Sequence, residues 1–502
     1  MIMSKPQVMH YSPQMAGSHS DTSRSDHGSF DIAIIGAGPA GITAAYELSK
    51  RGYAVELYEA SERVGGLSKS IDLWNQRVDL GPHRFFSQDN KVNALWLEVV
   101  GKDYRMVDRL TRIYFNKKFY YYPLKPFDAL VKLGIWKGFL CGMSYFRQKI
   151  VPTKKDGSFE NWVTNRFGYK LFSIFFKTYS EKLWGISCKE LDEDFAAQRI
   201  KKLSLFGAIW SALFKSKKNK HKTLVDQFAY PLEGSGMVYE RMQEKIIQNG
   251  GQVNCNTAVN RVISEGGKAV ALELSNGERK NYDHIISSMP ITHLVNNLDD
   301  TPKEVLDACA ELKFRNTILV YLKVEGENIF PDNWLYIHAD DLQMGRITNF
   351  SNWVPELNRG EKSTIVALEY WAFNEDEIWN DEDGKIIQLG IEEMKATGLI
   401  GDLPITEGKV IRIPRCYPVY RMGYQEPLKT VETYLSSVEN LSVIGRYGAF
   451  KYNNQDHSIL MGLLAAENIA ENKNHNLWEI NTDYENYQEK STITAAGLVS
   501  ED

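Results

Sequence analysis

Residues 30–41 read FDIAIIGAGPAG, a short apolar run that ends directly in a glycine-rich turn. The run FDIAII has the length and the β-branched residues of a buried strand. Gly36, Gly38 and Gly41 follow in a Gly-x-Gly-x-x-Gly spacing, and a helical stretch, Ile42–Arg51, comes next. Glycines in this spacing let the backbone turn tightly and let a pyrophosphate approach the first amides of the helix. The pattern predicts a strand, turn and helix that bind a dinucleotide.

A second apolar run, Ala54–Tyr58, follows the helix and ends at an acidic residue, Glu59. A carboxylate at this point can accept a hydrogen bond from a ribose hydroxyl. A glycine motif alone is a weak signal, but strand, turn, helix, strand and acidic residue in this order are specific for dinucleotide binding. The chain is therefore predicted to be an α/β protein with a Rossmann-type domain.

Composition and charge exclude several classes of protein. The 502 residues carry 59 Lys and Arg against 64 Asp and Glu, a formal charge of −5, which gives no net attraction for nucleic acid. Hydrophobic residues make up 43% and charged residues 25%, which are ordinary globular values. No apolar run approaches the roughly 18 residues of a membrane span, and the first residues do not resemble a signal peptide. We expect a globular protein of several domains.

The five cysteines indicate where the protein resides. They lie far apart, form no Cys-x-x-Cys pair, and their odd number argues against a full disulfide framework. We expect a reducing, cytoplasmic environment. No cluster of cysteines and histidines has the spacing of metal ligands, so no metal site is predicted.

Residues 203–222 combine an apolar run, LSLFGAIWSALF, with a basic cluster that begins at Lys215. One interpretation is a core helix that ends in a solvated basic loop. The other is a weak peripheral contact with anionic lipid, which would place part of the protein at a membrane surface. The sequence leaves both open.

A second glycine pair indicates which dinucleotide is bound. Residues 63–67 read RVGGL and resemble the Gly-Gly motif of the amine oxidase and protoporphyrinogen oxidase superfamily. In that superfamily the pair lets the backbone pass close to the dinucleotide and begins a loop toward the flavin. The resemblance implies bound FAD beside Gly65, Gly66 and Leu67. Leu67 stands where these proteins usually have Arg.

Four further segments are similar to the UDP-galactopyranose mutases, and all but the first resemble their eukaryotic-type branch. Residues 81–87 (GPHRFFS) resemble the histidine loop that lies over the flavin ring. Residues 445–458 (GRYGAFKYNNQDHS) resemble the final flavin segment, and Tyr417-Pro418-Val419 resembles the Tyr-Pro motif before it. Residues 182–186 (KLWGI) resemble the Lys-Val-Trp motif, with Arg199 at the expected distance. The order and spacing of these segments carry the resemblance.

The resemblance also implies roles for single residues. Arg199 and Arg346 would clamp a nucleotide diphosphate, since guanidinium forks match phosphate oxygens. Three tyrosines would donate to the same diphosphate: Tyr336, Tyr417 and Tyr452. Two residues would lie near the sugar, Trp184 and Asn454. The flavin would be contacted by Arg446, Gln455 and Ser458, and His83 would lie near the reactive nitrogen of the flavin.

These residues imply an isomerase among flavoenzymes. The expected reaction interconverts the pyranose and furanose forms of a nucleotide-diphosphate sugar for glycan synthesis, with reduced FAD as the nucleophile and NAD(P)H as a candidate reductant. The alternative is an FAD-dependent oxidase or desaturase of the protoporphyrinogen oxidase type that acts on a hydrophobic substrate. Residues 287–290 (SSMP) are compatible with both. A flavin fold kept only as a binding module is disfavoured by the retained arginines and tyrosines.

The expected architecture is a Rossmann-type FAD domain built from discontinuous segments, with an inserted substrate domain of helices and a mixed sheet. The stretch from about Arg109 to His221 is aromatic-rich and has a helical period. The predicted boundaries are a disordered tail at 1–29, an FAD domain at 30–108, 223–292 and 440–475, a substrate domain at 109–222 and 293–439, and a C-terminal extension at 476–502.

Overall fold

The computed structural model describes residues 30–195, 227–480 and 490–501. The predicted tail, the segment 203–222 and Arg199 lie outside the described residues, so those predictions stay as they are. Within the described part of the chain, no helix combines the length and the apolar character that crossing a bilayer requires.

A parallel five-stranded sheet carries the glycine-rich turn. Its central strand is the first apolar run, and Ile34 in that strand lies opposite Leu57 on one side and Ile286 on the other. A central parallel strand is covered on both faces, which explains why this run is apolar without alternation. Across the sheet the strands are β19 (Leu441–Val443), β13 (His284–Ser287), β1 (Asp31–Ile35), β2 (Ala54–Tyr58) and β9 (Gln252–Asn254).

The helix after the glycine-rich turn packs tightly against a helix from the far end of the chain. These are α1 (Pro39–Lys50) and α15 (Gln455–Ala470). A Cβ atom on Gly462 would lie 2.4 Å from the carbonyl oxygen of Ala40, so only glycine permits this approach. The contact brings the N-termini of both helices to the same region. Two more helices pack nearby: α2 (Asn90–Val100) contacts α1, and α8 (Met237–Gln248) contacts both α1 and the edge strand β9.

A second, seven-stranded sheet is mixed, because one of its strand pairs is parallel and the others are antiparallel. Arg346 lies directly opposite Tyr336 on one neighbouring strand and Glu369 on the other. Directly opposite residues share a face of the sheet, so these three side chains meet. In order the strands are β18 (Ile405–Pro418), β14 (Phe314–Glu325), β17 (Ser363–Ala372), β16 (Arg346–Asn349), β15 (Trp334–Ile337), β6 (Thr111–Phe115) and β7 (Lys118–Tyr121).

The helical prediction from Arg109 onward was wrong for its first part. Residues 111–121 form the hairpin β6–β7, and the two residues between its strands, Asn116 and Lys117, both have positive φ (48° and 57°). Two such residues form a tight hairpin turn whose twist matches the strands. Alternating β-branched and aromatic residues suit a pleated strand, so the aromatic period was misread as helical.

The prediction of helices is correct further along the described part of this stretch. Phe159, Phe172 and Trp184 are fully buried there and form its core. The helices are α3 (Pro126–Leu133), α4 (Ile135–Ile150), α5 (Phe159–Phe167), α6 (Tyr169–Phe172) and α7 (Thr178–Trp184), with a π-helical turn (Ser173–Lys177) before the last.

Smaller elements complete the described structure. The predicted α/β class is confirmed, with one Rossmann-type part and one part built on a mixed sheet. The exact domain boundaries stay a prediction. The remaining α-helices and strands of the described residues are β3 (Ser70–Leu73), β4 (Gln76–Asp79), β5 (Tyr104–Asp108), β8 (Gln227–Pro231), β10 (Val259–Glu265), β11 (Lys268–Leu274), β12 (Arg279–Asn281), α9 (Ile291–Asn296), α10 (Lys303–Glu311), α11 (Glu377–Asn380), α12 (Asp383–Ala396), α13 (Gln425–Ser437), α14 (Gly445–Gly448), β20 (Lys490–Thr494) and β21 (Gly497–Glu501).

Candidate functional site

A cavity of about 630 Å³ is lined by residues of both large sheets. Gly36 and Gly38 line one part of it, and Tyr336 and Arg346 line another. Of the sequence-predicted residues that the structure describes, the following line the cavity: Gly36, Gly38, Glu59, Gly66, Leu67, His83, Tyr336, Arg346, Tyr417, Arg446, Tyr452, Asn454, Gln455 and Ser458. Gly41, Gly65 and Trp184 are not among the lining residues.

The glycines of the first turn have two different tasks. A Cβ atom on Gly41 would lie 2.0 Å from the carbonyl oxygen of Gly36, and one on Gly66 would lie 2.9 Å from Cα of Gly38. These contacts join α1 to the turn and the second glycine pair to the first. Gly38 itself would meet only Cα of Gly66, at 3.9 Å, so its remaining side is open to the cavity. Gly41 therefore allows the fold, and Gly38 allows a ligand to approach.

Glu59 holds the two glycine loops in position. Its carboxylate accepts hydrogen bonds from the backbone amides of Ala37 (2.8 Å) and Ser61 (2.9 Å) and from the Ser61 hydroxyl (2.7 Å). The amide of Gly65 donates to the carbonyl of Ala37 at 2.7 Å. A carboxylate has about four acceptor positions, so Glu59 keeps one for a ribose hydroxyl.

The N-terminus of α15 also opens on the cavity. Asn454 caps this helix with extended backbone and an exposed side chain that makes no capping bond. Gln455 is taken up by protein contacts, since its Oε1 accepts from Tyr239 Oη (2.6 Å) and its Nε2 donates to the His83 carbonyl (2.9 Å). Gln455 thus ties the histidine loop to α15. Two helix N-termini, an open glycine cradle and an acidic residue fit the pyrophosphate and ribose of FAD.

His83 is neutral at physiological pH. Its burial, together with the positive charges of Arg346 and Arg446, lowers its pKa to about 3. Its buried Nδ1 has no hydrogen-bond partner among the described residues. A neutral imidazole that lines the cavity can offer one donor and one acceptor without adding charge.

Arg346 is held by a buried carboxylate. Its Nε donates to Glu369 Oε1 at 2.6 Å, and its Nη2 bonds both Glu369 and the phenol oxygen of Tyr417, the latter at 3.3 Å. Burial opposes the charge, but Glu369, Tyr417 and Tyr179 outweigh it and hold the pKa of Arg346 well above its usual value. Its Nη1 makes no hydrogen bond within the described residues and remains available to a ligand.

Among the described residues, no carboxylate pairs with the guanidinium of Arg446. Its Nε donates to the Cys416 carbonyl (3.0 Å) and its Nη1 to the Asn453 carbonyl (2.8 Å). Its guanidinium lies 4.8 Å from the ring centroid of Tyr417 and 4.4 Å from that of Tyr452. In the described ranges, no Asp or Glu oxygen lies within 4.0 Å of it. A desolvated cation without a counter-ion is costly, so this wall of the cavity suits an anion.

The model of a family described as flavin containing amine oxidoreductase matches residues 39–395. The chain belongs to this family. Membership and the fit of the glycine cradle make it a flavoenzyme that binds FAD, which confirms the superfamily resemblance found in residues 63–67.

Two curated relatives represent different activities. A probable UDP-galactopyranose mutase of Klebsiella pneumoniae is 23% identical over 451 residues, which cover 87% of this chain and 94% of the relative. A phytoene desaturase (neurosporene-forming) of Rhodobacter capsulatus is 24% identical over 313 residues, 55% of each chain. The likeness to the mutases is thus confirmed along most of the chain, and the eukaryotic-type branch stays a prediction.

Solved structures show the same fold. The crystal structure of a reduced UDP-galactopyranose mutase has a TM-score of 0.78 at 24% identity and covers 88% of this chain and 94% of its own. A putative protoporphyrinogen oxidase from Exiguobacterium sp. has a TM-score of 0.68 at 15% identity, with 89% and 99% covered. The same fold therefore occurs in a mutase and in a putative oxidase, the two candidate classes of enzyme.

Trp184 lies behind the cavity wall instead of in it. It is fully buried, and its ring centroid is 6.1 Å from that of Tyr417 and 5.8 Å from that of Tyr452. The structure therefore places Trp184 where it supports the two tyrosines, and its contact with a sugar stays a prediction.

Sequence reasoning missed Glu369 and Tyr179. Glu369 is the one charged residue in the buried strand STIVALEYWA (363–372), and a lone charge in such a strand signals a buried partner. Tyr179 contacts the rings of Tyr336 (5.4 Å) and His338 (5.0 Å). No local pattern distinguishes Tyr179 from the neighbouring core aromatics.

Proposed function

We propose that this flavoenzyme is a nucleotide-sugar mutase that interconverts pyranose and furanose forms with reduced FAD, an isomerase and not a net oxidoreductase. The observation that carries the proposal is the unbalanced guanidinium of Arg446 beside Arg346 and the phenols, in the same cavity as the dinucleotide cradle. A hydrophobic substrate has no charge for this wall, whereas a nucleotide diphosphate has. The likeness to the probable mutase over most of the chain also supports it.

The roles of the cationic residues follow from the charge that the reaction develops. Bound reduced FAD supplies an electron-rich ring nitrogen as nucleophile. When the sugar–phosphate bond breaks, negative charge grows on the diphosphate. Fixed guanidinium donors at Nη1 of Arg346 and at Arg446, which would also keep its predicted contact with the flavin, would stabilise that charge without reorganising. Glu369 keeps the Arg346 fork in place, and Arg199 is proposed as the further clamp residue.

The aromatic residues would enclose the sugar. The rings of Tyr417 and Tyr452 are stacked with centroids 5.4 Å apart, and Tyr336 packs edge-on against Tyr122 at 5.1 Å. Rigid rings hold a sugar in one orientation and exclude water from the diphosphate. Asn454, exposed at the start of α15, is proposed to contact a sugar hydroxyl.

The first test measures binding. Arg346→Ala should weaken the binding of UDP-sugars by about 2–5 kcal/mol, as expected when one member of a buried charged pair is lost. The matched control is Arg412→Ala, since Arg412 pairs with Asp383 outside the cavity and should leave binding unchanged. Flavin content should be equal in all three proteins. Equal affinity of the wild type and Arg346→Ala for every UDP-sugar would remove the argument for a nucleotide substrate.

The second test measures turnover and separates the mutase from an oxidase or desaturase, which the likeness to a phytoene desaturase keeps as a second candidate. A mutase should isomerise a UDP-sugar only after reduction by dithionite or NAD(P)H, and should consume no stoichiometric oxidant. An oxidase or desaturase starts from oxidised flavin. Bleaching of the oxidised enzyme by a hydrophobic donor, with no isomerisation by the reduced enzyme, would replace the proposal with the second candidate.

A further inference from the structure

One face of α4 is apolar and exposed. Ile135 is 85% exposed and Trp136 75%, and the two rings of Trp136 and Phe139 stack on each other at 5.8 Å between centroids. At ~100° per residue of a helix, the exposed apolar side chains fall within an arc of about 140°. They are Ile135, Trp136, Phe139, Leu140, Met143, Phe146 and Ile150.

The opposite face of α4 is already packed on the protein. Cys141 is buried there, Ser144 Oγ accepts from the Lys170 amide (3.1 Å), and Gln148 Nε2 donates to Asn165 Oδ1 (2.6 Å). A Cβ atom on Gly168 would lie 2.7 Å from the Tyr145 amide nitrogen, so the backbones are in close contact. The helix is therefore anchored on one side, and the apolar arc is a separate surface.

The charges around this surface have one sign. Residues 131–155 contain six Lys and Arg and no Asp or Glu, in a chain whose formal charge is −5. On α4 itself, Lys137, Arg147 and Lys149 are exposed. No carboxylate pairs with any of these three within the part of the chain that the structure describes. Three unpaired cations beside an apolar arc attract an anionic partner.

We propose that the exposed face of α4, with Lys137, Arg147 and Lys149, docks on an anionic lipid bilayer. An anchored helix with an apolar arc rich in aromatic residues and a purely basic border is the form that lies in the membrane interface. Trp and Phe rings enter the headgroup region, and the basic side chains meet the anionic lipids. A second copy of the chain would bring the same positive charges, so charge complementarity favours lipid.

The docking surface lies close in sequence to the rim of the cavity. Tyr122 and Pro123 line the cavity, and α3, which leads into α4, begins at Pro126. Docking would therefore hold this rim near the bilayer.

The apolar part of the surface is tested with vesicles. The full-length, FAD-loaded protein should pellet with phosphatidylglycerol vesicles at low salt, stay in solution with phosphatidylcholine vesicles, and be released as salt screens the attraction. The triple variant Trp136→Ser/Phe139→Ser/Phe146→Ser should lose about tenfold or more in partitioning. The control Ile247→Ser/Leu403→Ser/Met422→Ser removes exposed apolar side chains elsewhere and should bind like the wild type.

The charged part is tested separately. Lys137→Gln/Arg147→Gln/Lys149→Gln should lower partitioning by roughly fivefold per residue, about 100-fold together. The control Lys268→Gln/Lys303→Gln/Lys429→Gln removes exposed lysines from other elements and should change little. Flavin content and circular dichroism show whether each variant is folded.

Three outcomes would overturn the proposal. One is the absence of binding to phosphatidylglycerol vesicles at low salt. Another is equal binding by the wild type and both α4 variants, which would assign the contact to another segment such as 203–222. The third is a wild-type dimer in light scattering that becomes a monomer in Trp136→Ser/Phe139→Ser/Phe146→Ser, while adding vesicles does not change the oligomeric state. That result would identify a second copy of the chain as the occupant of the surface.

Discussion

Asp79 is a buried carboxyl group at the end of β4, directly before the loop that carries His83. It accepts hydrogen bonds from Ser70 Oγ (2.5 Å), Tyr230 Oη (2.6 Å) and the Ser235 amide (3.1 Å). Burial nevertheless raises its pKa from 3.8 to about 7, because removal from water outweighs these donors. We predict that Asp79 makes the stability of the protein fall as the pH rises through 7.

The direction of this pH dependence follows from proton binding. A raised pKa means that the folded protein holds the proton more tightly than the unfolded chain does. The contribution of Asp79 to the free energy of unfolding is therefore full below pH 3.8 and is lost as the pH rises through about 7. With these two pKa values, the loss of stability integrated from pH 6 to pH 8 is about 1.4 kcal/mol.

The assay compares urea unfolding of the wild type and Asp79→Asn at pH 6, 7 and 8, with saturating FAD throughout. Other groups titrate in this range, since Lys182 and Lys451 have a pKa lowered to about 8 by burial. Their effects cancel in the difference between the two proteins. That difference should shrink by about 1.4 kcal/mol from pH 6 to pH 8.

The matched control is Asp300→Asn, because Asp300 is exposed and its positive φ of 58° is also suited to Asn. It shows what an Asp→Asn substitution does outside the core. A difference between the wild type and Asp79→Asn that stays constant from pH 6 to pH 8 would refute the reasoning about Asp79.

Three further predictions concern the cavity. Gly38→Val should abolish the yellow flavin absorption yet keep the circular dichroism of the fold, since its side chain enters the cavity; a yellow Gly38→Val protein would contradict this. Gly41→Val should prevent folding, because its Cβ would lie 2.0 Å from a backbone oxygen. The flavin spectrum should show no His83 titration between pH 5 and pH 8, because its pKa is lowered to about 3, and a transition near pH 6.5 that His83→Ala removes would be the opposite result. Trp184→Ala should cost about 3–5 kcal/mol of stability in urea unfolding, as expected for a large buried ring, and full stability with a raised KM would instead make it a sugar contact.

Local signals were sufficient for the dinucleotide half of the protein. The strand, the glycines, the helix and Glu59 lie within about thirty residues, where backbone geometry and hydrophobic period act over short distances. The structure bears out the strand as β1 and the helix as α1, which begins at Pro39, three residues before the predicted start. The hairpin β6–β7 was missed because its decisive signal is the conformation of Asn116 and Lys117, which are not the usual turn pair.

The cationic wall could not be derived from the sequence in the same way. Arg346, Tyr336 and Glu369 meet because the three successive strands β15, β16 and β17 pair in one register. Arg446 meets Tyr417 because α14 follows a strand of the other sheet. Whether a guanidinium has a counter-ion depends on side chains brought together by this packing. The sequence by itself determined that a dinucleotide is bound and where along the chain. Only the tertiary structure decided that Glu369 pairs with Arg346, that no described carboxylate pairs with Arg446, and that Trp184 is buried, because burial and pairing are properties of the assembled sheets.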